Sequence, residues 1–144
     1  MQEAMTSSTV TFFGLLVALS AIIACSEGQI PVLGGWQKHN VGDDAIYEEL
    51  AHFAISKQVG NRQFYDTVLG LVDVESQTVA GTNYRIKFNI TESTCRVTEA
   101  YSKTTCVPKS RETVKDVCTA HITVSLKNER SLNSFTCEGS TATA

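Results

Sequence analysis

Histidine is scarce in this 144-residue chain, with three in all, and charge of either sign is modest, twelve basic against fifteen acidic side chains. Each shortage removes a class of function. Near-neutrality withholds the basic surface that nucleic-acid phosphates require, so no nucleic-acid partner is expected. His39, His52 and His121 come without any Cys-x-x-Cys pair. The donor set of a zinc site is therefore missing, and neither metal nor cofactor is expected. Long apolar runs are absent as well. The longest, Val10 to Cys25, has about fifteen residues, short of the roughly 20 that a membrane-spanning helix needs.

That run is followed by small residues, which is the pattern of a cleaved secretory signal. No Lys or Arg precedes it, and Glu3 adds a negative charge that would vanish if Met5 were the start. Ala24-Cys25-Ser26 offers one cleavage site and Ser26-Glu27-Gly28 a second. The expected division is a signal peptide over 1–26, with the cut as late as 28, and one domain over 27–144, secreted and extracellular. Removal of 1–26 takes away one carboxylate and no base, so the charge stays slightly negative. It also removes Cys25. Cys95, Cys106, Cys118 and Cys137 remain, and an even set in a small secreted domain is a disulfide framework. The same reasoning makes Cys95 or Cys118 a poor nucleophile, because secreted thiols at these spacings pair.

Along the mature chain, Glu27 to Leu33 has no periodic pattern and reads as a flexible lead, and Gly34 to Asn40 as a short first strand. From Asp43 the period becomes helical: Ile46, Leu50, Phe53 and Ala54 fall on one stripe. Asp43 or Asp44 can cap the start, and Gly60 can stop the helix in the left-handed conformation. Thr67 to Glu75 carries apolar residues on both parities, as in a strand with little solvent on either face. Tyr84, Ile86, Phe88 and Ile90 alternate with Arg85, Lys87, Asn89 and Thr91, which places the first set in the core and the second in water. Arg96 to Arg111 is polar and aperiodic, an excursion. Cys118, Ala120, Ile122 and Val124 alternate as a further strand, Lys127 to Arg130 is a polar turn, and Leu132 to Cys137 returns. Gly139 to Ala144 is expected to fray. One helix with four or five antiparallel strands is an α+β layer, the sheet wrapped on the helix.

Gln77-Thr78-Val79-Ala80-Gly81 lies between two of these strands, at a hairpin tip, about forty residues after Gly34-Gly35 and just before the cysteines. That combination resembles the secreted type 2 cystatins, inhibitors of papain-like cysteine proteases. Pro31 to Trp36 and Val79 to Tyr84 look most like the cystatins of ticks. The resemblance covers essentially the whole mature chain and implies a cystatin fold with neighbour pairing of the cysteines, Cys95 with Cys106 and Cys118 with Cys137. It implies a non-enzyme that blocks a protease cleft reversibly with three parts: Val32, Leu33 and Gly34 of the lead; Gln77, Thr78, Val79, Ala80 and Gly81; and the second turn around Leu126 and Lys127. Gly34 would let the lead bend away before its peptide reaches the catalytic thiolate, and Gly81 would supply a turn geometry that a β-carbon opposes.

At the second hairpin many members place Pro-Trp where this chain has Leu126-Lys127. An interface Trp is often worth roughly 2 kcal/mol or more, so affinity is expected to rest on the lead and the first loop. Leu33 would enter the main specificity pocket, favouring cathepsin L-type endopeptidases over exopeptidases of the cathepsin B kind. Asn61 sits where some cystatins carry a site against legumain-type proteases, but Gly60 and Arg62 replace the family's Ser and Asp, and a helix stop is the preferred reading. Asn89-Ile90-Thr91 is an N-glycosylation sequon. Trp36 is left out of the site, because core or sheet packing accounts for it at least as well as a protease contact. The rival reading is a non-inhibitory, cathelin-like interaction module on the same scaffold. Retention of Gly34 together with Gln77 to Gly81 favours inhibition.

Overall fold

A computed structural model describes residues 34–140. The expected signal peptide, the domain boundary behind it, Val32 and Leu33 lie outside the described residues. Five antiparallel strands form one sheet in sequence order: β1 (Gln37–His39), β2 (Phe64–Thr78), β3 (Thr82–Arg96), β4 (Asp116–Val124) and β5 (Arg130–Cys137). Between β1 and β2 runs the helix α1 (Ala45–Ser56), which packs across one face of the sheet. The α+β architecture expected from the periodicities is the one observed.

Of the two candidate caps, Asp44 takes the role: its backbone is extended (φ −146°) and its Oδ1 accepts from the Ile46 amide at 2.9 Å. Asp43 instead closes the preceding turn on the Asn40 amide at 3.1 Å. The helix ends before Gly60. Its last turn tightens, with the Lys57 amide donating to the Ala54 carbonyl at 3.2 Å and the Gln58 amide to that of Ile55 at 2.9 Å. These bonds satisfy carbonyls that would otherwise need a left-handed terminator. Gly60 does adopt a positive φ of 49°, but in the connection to β2 rather than as the stop.

The buried face of α1 is also rotated from the expected stripe. Tyr47, Leu50, Ala51, Ala54 and Ile55 are buried, at i, i+3, i+4, i+7 and i+8, whereas Ile46 and Phe53 pack only at the margin. Ala51 and Ala54 carry little hydrophobic signal, yet their small side chains let the helix approach the sheet closely. They meet Val74, Ile86, Phe88, Ile90, Ala120 and Ile122 from β2, β3 and β4. Full burial of a residue such as Phe88 or Leu50 contributes roughly 1.5–3 kcal/mol.

β2 is longer than expected and is not shielded on both faces. Its pairing with β3 slips at three places: between Phe64 and Asp66, where the extra residues lie on β3; between Val68, which faces Ile90, and Gly70, which faces Asn89, so Leu69 is an extra residue; and between Leu71, which faces Phe88, and Asp73, which faces Lys87, so Val72 is another. Each of the two bulges within β2 reverses its alternation. Val68, Leu71 and Val74 therefore reach the same core three residues apart, while Val72 is 48% exposed. The mixed parity of this segment comes from the bulges, not from burial on both sides. β3 holds its regular period over Tyr84 to Ile90 as expected, but Thr91, assigned to water, is buried.

Both disulfides pair neighbours, Cys95 with Cys106 and Cys118 with Cys137. The first closes the excursion between β3 and β4 over a small second cluster with Tyr65, Val97 and Tyr101. Tyr101 docks this excursion on the body of the fold. Its hydroxyl hydrogen-bonds with His52 Nδ1 at 2.5 Å and lies 3.1 Å from Thr67 Oγ1. Asp66, buried, pairs with Arg62 at 2.5 Å and with Lys115 at 2.8 Å, where the excursion returns to β4. At the C-terminal end the chain does not fray at Gly139: a 3-10 turn (Glu138–Ser140) is held by the Gly139 amide donating to Asp116 Oδ1 at 3.0 Å.

Candidate functional site

Strand register brings three segments to one end of the sheet. β2 and β3 are joined by Val79, Ala80 and Gly81, and β4 and β5 by Ser125 to Glu129; because Thr82 faces Val124, the two hairpins share an edge. A β-carbon on Gly81 would lie 2.7 Å from the Val124 carbonyl oxygen and 3.3 Å from Ser125 Cα, and Gly81 itself has φ 118°. No side chain fits that position, and only glycine adopts that φ without strain. The absent side chain is what lets the hairpins close against each other.

Each turn has its own internal support. In the first, the Val79 amide donates to the Gly81 carbonyl at 3.0 Å and Ala80 has φ 30°. In the second, Ser125 Oγ accepts from the amides of Lys127 at 3.2 Å and Glu129 at 3.1 Å, while the Ser125 amide donates to the Glu129 carbonyl at 2.9 Å. Asn128 turns the chain at φ 61°, a conformation that Asn tolerates better than most residues. Both tips are open, and each presents one exposed large apolar side chain, Val79 in the first and Leu126 in the second. Thr78, Val79 and Ala80 are exposed, Lys127 is exposed, and Leu126, at 83%, is the most exposed of the large hydrophobic residues described.

The third segment begins at Gly34, φ 96°, whose carbonyl accepts from Gln77 Nε2 at 2.5 Å. Of the expected site residues, Gly34, Gln77, Thr78, Val79, Ala80, Gly81, Leu126 and Lys127 thus gather at one end. Gln77 differs from its neighbours in spending its amide on the chain's own backbone. Trp36, left out of the expected site, lies on the sheet face turned away from α1: the Arg85 guanidinium stacks 4.3 Å from its ring centre and His121 meets it edge-on at 6.4 Å. Burial first, and then the Arg85 charge, lower the His121 pKa.

Among the described residues no group of His, Cys, Asp and Glu could hold a metal ion. His52 bonds to Tyr101 and His39 Nε2 lies 2.7 Å from Ser76 Oγ. Asn61 is exposed in the connection after α1, at the far end of β2 from the first hairpin. Asn89 is half-buried on the same face as Arg85 and Lys87, opposite Gly70 and Val117. Sequence reasoning missed Ser125, the organiser of the second turn, and Asn83. The signal for Ser125 was its place just after the last alternating residue of a strand, where a hydroxyl favours a turn.

A family model described as cystatin domain matches residues 34–127. The chain is 40% identical over 129 residues to Mialostatin of the tick Ixodes ricinus, covering 88% of this chain and 91% of that protein. It is 42% identical over 129 residues to Cystatin-2 of the tick Ornithodoros moubata, covering 88% and 98%. The crystal structure of Mialostatin, described as a gut cystatin, superposes with a TM-score of 0.68 at 41% identity over 72% of this chain and 97% of that one. Dimeric human cystatin F, 17% identical, shares the fold with a TM-score of 0.63 over 73% of this chain and 86% of its own.

Proposed function

The chain belongs to the cystatin family of cysteine-protease inhibitors, and from that premise we propose that it is a secreted, reversible blocker of papain-like enzymes that prefers cathepsin L-type endopeptidases. The observation that carries this reading is the meeting of Gly34, the Val79–Gly81 tip and the Ser125–Glu129 turn at one end of the sheet, with Val79 and Leu126 exposed. Such a row of narrow tips, with Val79 and Leu126 projecting, fits a cleft, and its polar backbone can pair with the cleft walls. The lead places Leu33 in the main specificity pocket, where burial of a leucine is worth roughly 1.5–3 kcal/mol. Ala80 and Gly81 offer backbone beside the catalytic residues without presenting a scissile bond in attacking geometry. Leu126 and Lys127 make the third contact. Leu126 replaces the broader ring surface that many relatives carry there, and this leaves less binding energy for displacing the occluding loop of a cathepsin B-type exopeptidase.

Secretion follows cleavage near residue 26, in keeping with relatives described as salivary or gut cystatins. Asn89 is the candidate glycan carrier, on the sheet face away from α1 and clear of the hairpin tips. The test is a titration of secreted protein against cathepsin L and cathepsin B, with recovery of protease activity on dilution. Inhibition of cathepsin L at least about tenfold tighter than that of cathepsin B is expected, a difference of about 1.4 kcal/mol. Equal potency would overturn the preference, and inhibition of neither would overturn the reading.

A further inference from the structure

Four uncharged polar side chains form a directed row across the sheet face turned away from α1. Asn133 Nδ2 donates to Thr123 Oγ1 at 2.7 Å, and the Thr123 hydroxyl donates to Asn83 Oδ1 at 2.8 Å. Asn83 Nδ2 then donates to Gln77 Oε1 at 3.3 Å, and Gln77 Nε2 to the Gly34 carbonyl at 2.5 Å. Register accounts for the row: Asn83 stands directly opposite Gln77 on β2 and Thr123 on β4, and Asn133 is the diagonal neighbour of Thr123, whose direct partner is Ser131. The Thr123 hydroxyl has a single proton, so it serves both neighbours only by accepting from one and donating to the other. Every bond therefore points the same way, and each polarises the next. The row terminates at the residue from which the lead departs, two positions before the Trp36 ring held by Arg85.

We propose that Gln77, Asn83, Thr123 and Asn133 are positioning residues that hold Gly34 so that the lead leaves the sheet at a fixed angle beside the first hairpin tip. This rests on the reading of Val32 and Leu33 as part of the protease-blocking wedge. A lead aligned before encounter loses less conformational freedom on binding, so the row raises affinity without touching the protease. A hydroxyl on β4 and an amide on β5 thereby act through a segment far from them in sequence.

Thr123→Val preserves shape and removes both of its bonds. In the full chain it is expected to raise the inhibition constant for papain about five- to tenfold, with Thr123→Ser within about twofold of wild type. In the Val32→Gly/Leu33→Gly background, where the lead contributes no side chain, Thr123→Val should add less than about twofold, because the two changes share one route. Nitrogen-15 relaxation of the unbound protein should show greater mobility at Gly34 and Gly35 in Thr123→Val and no change at Val79 or Asn128. An equal loss in both backgrounds, failure of Thr123→Ser to restore affinity, or unchanged relaxation at Gly34 and Gly35 would each overturn the proposal. If the wild type inhibited no papain-like protease, the functional reading would fall, and relaxation alone would still decide whether the row holds the lead.

Discussion

At Gly81 and Leu126 single side chains separate folding from recognition. Gly81→Ala brings a β-carbon against the Val124 carbonyl and keeps the backbone at φ 118°. Urea unfolding should show a loss of about 2 kcal/mol or more, with weakened inhibition as a consequence. Leu126→Ala removes a side chain that is 83% exposed. Its stability should change by less than about 0.5 kcal/mol, while the inhibition constant for cathepsin L rises. Leu33→Ala should raise that constant by about ten- to hundred-fold, mainly through faster dissociation in surface-binding kinetics. The residue types at the tips were legible in the sequence because glycine and short polar residues mark turns. The task of Gln77 was not: its partner, Gly34, is 43 positions away, and no local period announces a bond of that span.

Among the elements, β3 and β4 were the most legible, since strict alternation over Tyr84 to Ile90 and Cys118 to Val124 matches a two-residue period. α1 was legible in extent but not in orientation, because its closest contacts are alanines, whose burial a hydrophobicity pattern underweights. β2 misled for a stronger reason. Two inserted residues turn its core spacing into threes, a pattern that imitates burial on both faces. α1 also carries a titration. Burial, opposed by the Glu48 charge and aided by that of Lys103, lowers the His52 pKa from its ordinary 6.5. The unfolded chain then takes up its proton before the folded chain does, so stability is full above about pH 7 and falls as pH drops through 6.5 toward the folded value. Thermal unfolding should occur at a lower temperature at pH 5 than at pH 7. His52→Gln should reduce that difference, leaving the part due to His121, whose pKa burial lowers in the same sense.

For the molecule as a whole, neighbour-paired cysteines staple the β3–β4 excursion and the β4–β5 hairpin separately, each bridge contributing on the order of 3 kcal/mol in the loop-entropy description. If cleavage removes Cys25, secreted protein has no free thiol, and peptide mapping without reductant should recover only the two observed pairs. A free thiol, or a mature chain retaining Cys25, would contradict the assigned cut. One further property follows from the two bulges of β2. β1 pairs with β2 only from Val74 to Ser76, so among the described residues no strand covers that side of β2 from Phe64 to Asp73. An open edge of this length invites strand addition by a neighbouring molecule and growth into fibrils. The extra residues at Leu69 and Val72 break the spacing of its donors and acceptors, so an incoming strand finds no long matching run. Deletion of Val72 would straighten the edge, and self-association of that variant in size-exclusion chromatography is expected. The kink that misleads a reader of the pattern is thus also what makes this edge a poor template for a second strand.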